Sequence, residues 1–171
     1  GITANDFVNN GDITSGGTLA VNSGSIFNNF AGFLYSDGAM TLTSDTNIIN
    51  SGEILSMGAL DLIASGGYVN FYENSSTSAN GNMNISGKSV EIKSGSIIRG
   101  IQNVGIDLAG GLINWGKIFG DKINFYLDGN FENNGEIWTD TSDLLVEANI
   151  INNKSGSKIN VNFFPVVSST R

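Results

Sequence analysis

A net charge of −8 on 171 residues, with no histidine and no cysteine, excludes several classes of function. That charge repels phosphate backbones and heparin-like polyanions, thiolate metal sites and disulfides need cysteine, and the usual acid–base triads and common zinc sites need histidine. With 40% hydrophobic but only 14% charged residues, and 23 glycines against one proline, the chain can bury a core under a surface of Asn, Ser, Thr and Gly.

The N-terminal Gly1-Ile2-Thr3-Ala4-Asn5-Asp6 lacks the regions of a signal peptide, and no apolar run is long enough to span a bilayer. Membrane insertion is therefore not expected, and a secreted protein would carry its targeting segment outside this sequence. From there one phrase recurs: a polar turn, glycine, one residue, then an aliphatic. It appears as Asn10-Gly11-Asp12-Ile13, Ala31-Gly32-Phe33-Leu34, Ser51-Gly52-Glu53-Ile54, Ser94-Gly95-Ser96-Ile97, Trp115-Gly116-Lys117-Ile118 and Asn134-Gly135-Glu136-Ile137. It returns with one extra residue as Ser155-Gly156-Ser157-Lys158-Ile159. Successive glycines lie 19 to 21 residues apart except for one step of 43, which is two units with the middle one degenerate near Asn74-Ser75-Ser76.

Each repeat holds a second segment of strict alternation, such as Thr18-Leu19-Ala20-Val21, Leu60-Asp61-Leu62 or Ile123-Asn124-Phe125. Alternation at period two marks a strand with one buried face. A third short apolar segment precedes each glycine phrase, as in Phe7-Val8, Ile48-Ile49 and Leu112-Ile113. Glycine interrupts too often for helical repeats. The expected fold is all-β: a right-handed parallel β-helix, a triangular solenoid of about eight coils of roughly 20 residues with three short strands per coil. It forms a single domain over residues 1–171, with an irregular coil near 68–82 and a C-terminal cap over 162–171, where Pro165 would block further pairing.

Stacking at about 4.8 Å per coil places equivalent residues above one another. Asn9, Asn28, Asn50, Asn114, Asn133 and Asn152 are then expected to form side-chain amide ladders. Lys117, Glu136 and Lys158 should form a vertical charge column.

The phrases Phe7-Val8-Asn9-Asn10-Gly11-Asp12-Ile13-Thr14-Ser15-Gly16-Gly17-Thr18-Leu19-Ala20-Val21 and Asn130-Phe131-Glu132-Asn133-Asn134-Gly135-Glu136-Ile137 resemble filamentous-haemagglutinin-type repeats. These belong to exoproteins of two-partner secretion systems: large adhesins, haemolysins and contact-dependent inhibition proteins of Gram-negative bacteria. The resemblance covers most of the chain and is weakest around Tyr72–Gly81. It implies a shaft exported through an outer-membrane transporter partner to the cell surface or medium, in contact with a host or neighbouring-cell surface through glycan or protein. The family's secretion domain carries Asn-Pro-Asn motifs, which a chain whose one proline is Pro165 cannot contain, so transporter recognition would lie elsewhere in the parent protein.

Chemistry-bearing patterns are sparse. Gly81-Asn82-Met83-Asn84-Ile85-Ser86-Gly87-Lys88-Ser89 has five residues between its glycines where a phosphate loop needs four, and reads as a corner between strands. Asp140 and Asp143 form the nearest acidic pair, and Asp121 and Asp128 flank a strand. No cofactor, metal site or catalytic residue is expected. Asn74, Asn84 and Asn153 open Asn-x-Ser sequons.

Two binding candidates remain. If Leu34, Ile54, Ile97, Ile118 and Ile137 point inward, then Tyr35, Leu55, Ile98, Phe119 and Trp138 form an outward apolar stripe suited to sugars or protein partners. The loop at Tyr72, Glu73 and Asn74, in the irregular coil, is the second. The expected function is a structural and adhesive shaft. A carbohydrate-active β-helix enzyme, which would need convergent carboxylates on one face, and a spacer without a ligand are the alternatives.

Overall fold

The computed structural model describes residues 1–140 and 143–161. It contains 20 strands linked into one continuous sheet, and every strand pairing is parallel. The strands wind into a solenoid of about eight turns, a parallel β-helix. The expected C-terminal cap at 162–171 lies outside the described residues, as do Thr141 and Ser142. Among the described residues no helix is long and apolar enough to cross a membrane.

Each coil contributes one strand to each of three faces. The first face begins with Asp12–Ser15 and continues through Phe33–Ser36, Glu53–Ser56 and Ser76–Ala79 to Lys158–Val161. The second stacks Met40–Ser44 on Leu60–Ala64 and Met83–Gly87. The third runs from Phe7 through Ile48–Asn50, Tyr68–Phe71 and Ser89–Ile92 to Ile151–Asn153. Long strands such as Leu19–Asn28 and Ile97–Leu108 turn a corner between two faces.

The core is built from columns, because alternation sends every second side chain inward. One column is Val21, Leu42, Leu62, Ile85, Ile106, Phe125 and Val146, all buried. Another is Ile26, Ile48, Val69, Val90, Leu112 and Phe131. Phe125 and Phe131, on the second and third faces of one coil, meet edge to face at 5.4 Å between centroids. Each such aliphatic or aromatic burial stabilises by about 1.5–3 kcal/mol.

Between the third and first faces the coils close in two ways. Asn10-Gly11, Ser51-Gly52, Trp115-Gly116 and Asn134-Gly135 are two-residue turns. In each, the preceding asparagine accepts the glycine N–H through its own Oδ1, at 3.3, 3.1, 3.0 and 3.3 Å, an Asx turn. The other four coils use four residues: 29–32, 72–75, 93–96 and 154–157. In the last three of these the third residue has positive φ: Asn74 at 63°, Gly95 at 78° and Gly156 at 88°. The N–H of the fourth residue donates to the carbonyl of the first at 3.1–3.2 Å, as in a type II turn.

The amide ladder forms, with one correction. Asn9 Nδ2 donates to Asn28 Oδ1, Asn28 to Asn50, Asn114 to Asn133 and Asn133 to Asn153, each at 2.8 Å. The last rung is Asn153 rather than Asn152, because Asn152 pairs with Glu132 on the outward side of the strand. The expected charge column also stands: Lys117 and Lys158 each approach Glu136 at 3.5 Å.

Candidate functional site

The strand register decides where the expected stripe lies. The outward column of the first face reads Thr14, Tyr35, Leu55, Ser78, Arg99, Phe119, Trp138 and Asn160. Tyr35, Leu55, Phe119 and Trp138 therefore share one column, as expected from the repeat.

Ile98 does not, which corrects the sequence reading. It is fully buried in the column of Thr77 and Ile118, while Ile97 is 40% exposed beside Lys117. The cause is the four-residue turn: Gly95 adopts positive φ and Ser96 occupies the position of a turn glycine, so the phrase gains one residue before its inward aliphatic. A one-residue slip exchanges the faces of a strand. The related phrase Gly156-Ser157-Lys158-Ile159, with Lys158 out and Ile159 packed against the core, carries the same insertion and was the signal for it.

With Ser78 and Arg99 between them, the apolar residues form two separate pairs. At Tyr35, the ring stacks on Phe33 at 6.0 Å and the O–H donates to the Asp37 carboxylate. That hydrogen bond holds the phenol above its usual pKa, with desolvation and the Asp37 charge adding to it. At Trp138, the indole Nε1–H donates to Glu136 Oε2 at 3.2 Å. This bond, with the charges of Lys117 and Lys158, holds the Glu136 carboxyl below the usual carboxylate range against a smaller opposing desolvation. Phe119 and Leu55 are half-buried.

The loop candidate is a regular turn. Tyr72, Glu73 and Asn74 are exposed, and the Ser75 N–H closes the turn on the Tyr72 carbonyl at 3.1 Å. The irregular coil keeps the solenoid path, with buried Thr77 filling the place of the missing aliphatic.

Sequence reasoning missed two surface features. A groove of about 570 Å³ lies on the third face and is lined by Tyr68, Asn70, Glu91, Ile113, Asn130 and Glu132. Glu91 pairs with Lys93, and Glu132 approaches Lys154 at 3.9 Å and accepts from Asn134 at 2.9 Å. The second feature is a row of aromatics on the turn edge, where Phe30 and Trp115 are 83% and 47% exposed. Both turn residues interrupt a polar consensus, which was the available signal.

Of the other residues, Asn84 is exposed on its strand and donates to Asp61 at 2.8 Å. The phosphate-loop-like stretch forms the corner between Met83–Gly87 and Ser89–Ile92. Asp140 and Asp143 are exposed.

Compared with known proteins, the chain matches no family model, no curated sequence and no solved structure.

Proposed function

We propose that the chain is a structural and adhesive shaft segment of a large secreted surface protein of a Gram-negative bacterium, built from filamentous-haemagglutinin-type repeats. One observation carries this reading: among the described residues each coil pairs with the coil before and the coil after, all in parallel and with one register shift between Gly100 and Asn103, around columns of buried aliphatic and aromatic side chains. Partners lie about one repeat apart along the chain, so each coil can form on its predecessor alone. That suits a protein that leaves the cell as an unfolded thread through an outer-membrane transporter and folds as it emerges. The absence of cysteine suits passage through an oxidising compartment.

On this reading the chain bears load and displays surface, and its role is not catalytic. A carbohydrate-active alternative would use Glu91 and Glu132, two coils and so about 9.6 Å apart. Their engagement by Lys93, Lys154 and Asn134 favours the structural reading. Activity is the discriminating measurement: cleavage of a polysaccharide lost in both Glu91→Gln and Glu132→Gln would establish the enzyme. The shaft itself is tested by the size and location of the native polypeptide carrying this segment.

A further inference from the structure

The edge between the third and first faces carries a row of exposed aromatic rings that the fold does not require. Backbone hydrogen bonds stack Asn29, Ser51, Tyr72, Lys93, Trp115, Asn134 and Lys154 in one column, each N–H donating to the coil before. Tyr72 and Trp115 thus sit two coils apart on one line. Phe30 follows Asn29, two coils before Tyr72. The three residues are 83%, 40% and 47% exposed in chain order, and recur every second coil, a rise of about 9.6 Å along the rod axis at each step.

The repeats show what each position needs for folding. Trp115 occupies the middle of an Asn-x-Gly turn whose sister coils carry Asn10, Ser51 and Asn134 there. Tyr72 opens a four-residue turn whose sisters begin with Lys93 and Lys154. Phe30 lies in a turn two residues longer than those of the coils before and after it. Polar residues satisfy the same backbone at the Trp115 and Tyr72 positions, so these aromatic rings serve something outside the core.

We propose that this edge binds a linear, uncharged, β-1,4-linked polysaccharide lying parallel to the rod axis. Alternate sugars of such a chain present the same face, and the disaccharide repeat matches the two-coil spacing of Phe30, Tyr72 and Trp115. Aromatic rings are favoured platforms for the apolar faces of sugars. The spaces beside them are polar and suited to hydroxyls. A groove of about 260 Å³ next to Phe30 includes Ser51, Glu53, Asn74 and Ser76. Another of about 220 Å³ next to Trp115 includes Ser94, Lys117, Asn134 and Glu136.

Charge selects a neutral ligand. Residues 1–87 contain Asp6, Asp12, Asp37, Asp45, Glu53, Asp61 and Glu73 and no lysine or arginine. The two lysines of the column, Lys93 and Lys154, lie against Glu91 and Glu132 respectively.

The test is isothermal titration of the 171-residue chain with cellohexaose and chitohexaose, with hexagalacturonate as the anionic comparison. A Trp138→Phe variant leaves Trp115 as the fluorescent reporter. Binding of at least one neutral hexasaccharide is expected, with a change in Trp115 emission. Affinity should fall about tenfold or more in Trp115→Asn and in Tyr72→Ser, while Tyr126→Ser, at an exposed aromatic of the second face, leaves it unchanged. Unfolding midpoints matching wild type would show that Trp115→Asn and Tyr72→Ser retain the fold. A disaccharide, too short to bridge two rings, should bind far more weakly. The proposal is overturned by no binding of either neutral hexasaccharide at millimolar concentration, by preference for the uronate, or by affinity that survives both edge substitutions.

Discussion

Asn50 Nδ2 donates to Thr77 Oγ1 at 2.9 Å, not to an asparagine, and at that bond the first amide ladder ends. Phe71 and Ile92 occupy the ladder positions of the next two coils, and both are buried. Neither can accept the turn N–H as an asparagine does, and both coils use the four-residue turn with buried Ser75 and Ser96 beside the strand. The ladder resumes at Asn114. In these two coils the four-residue turn and the apolar ladder residue occur together, whereas after Asn28 and Asn153 the same turn length follows an asparagine that keeps its rung.

The ladder amides contribute measurably to stability. Asn28 is 1% exposed, accepts from Asn9, and donates to Asn50, Gly32 and Glu53. Asn28→Ala should cost about 1–3 kcal/mol, since it leaves buried polar groups short of partners. Exposed Asn152→Ala should change stability by less than about 0.5 kcal/mol. Urea denaturation of both variants checks the pair.

Two glycines in the same phrase should respond oppositely to a methyl group. A Cβ at Gly52 would lie 2.2 Å from the Gly32 carbonyl oxygen and 2.4 Å from that of Asn29, both rigid backbone. At Gly11 a Cβ meets nothing within 4 Å. Gly52→Ala should destabilise by about 1–3 kcal/mol or more through overpacking, and Gly11→Ala should be near neutral, read as shifts in the denaturation midpoint.

The register at Gly95 can be tested with neighbouring isoleucines. Ile98→Ala should lose about 2–5 kcal/mol as a core truncation, and Ile97→Ala should stay within about 0.5 kcal/mol. Equal losses would mean that the strand does not sit as described.

Much of this architecture was legible in the sequence, because a solenoid repeats its reasons. The glycine phrase marks one corner of each coil, and alternation such as Leu60-Asp61-Leu62 marks a buried face. The vertical meeting of Lys117, Glu136 and Lys158 follows from stacking alone. Ile98 was misread because positive φ at Gly95 leaves no mark on the glycine itself, and the one signal of the insertion was the extra residue in the related phrase Gly156-Ser157-Lys158-Ile159. Asn152 and Asn153 are adjacent asparagines, and only the strand pairing tells which one turns inward. Phe30 and Trp115 sit in turns, where alternation carries no information about exposure.

Acid should act on the Glu136 column in a defined direction. Its pKa is lowered in the fold by the Trp138 indole and the flanking lysines. A depressed carboxylate stabilises the fold above its unfolded pKa, and that contribution is lost as pH falls through the folded pKa. The stability difference between wild type and Glu136→Gln should therefore be present at neutral pH and disappear under strong acid, below the usual carboxylate range. Denaturation midpoints across that range give the profile, and a difference that grows on acidification would contradict it.

The shaft reading rests most directly on the native size and location of the polypeptide that carries this segment. An immunoblot of culture medium, outer surface and cytosol from the source cell measures both. A shaft segment gives a band many times larger than a 171-residue chain, at the surface or in the medium. A band of about that chain's own size, confined to the cytosol, would contradict the shaft reading.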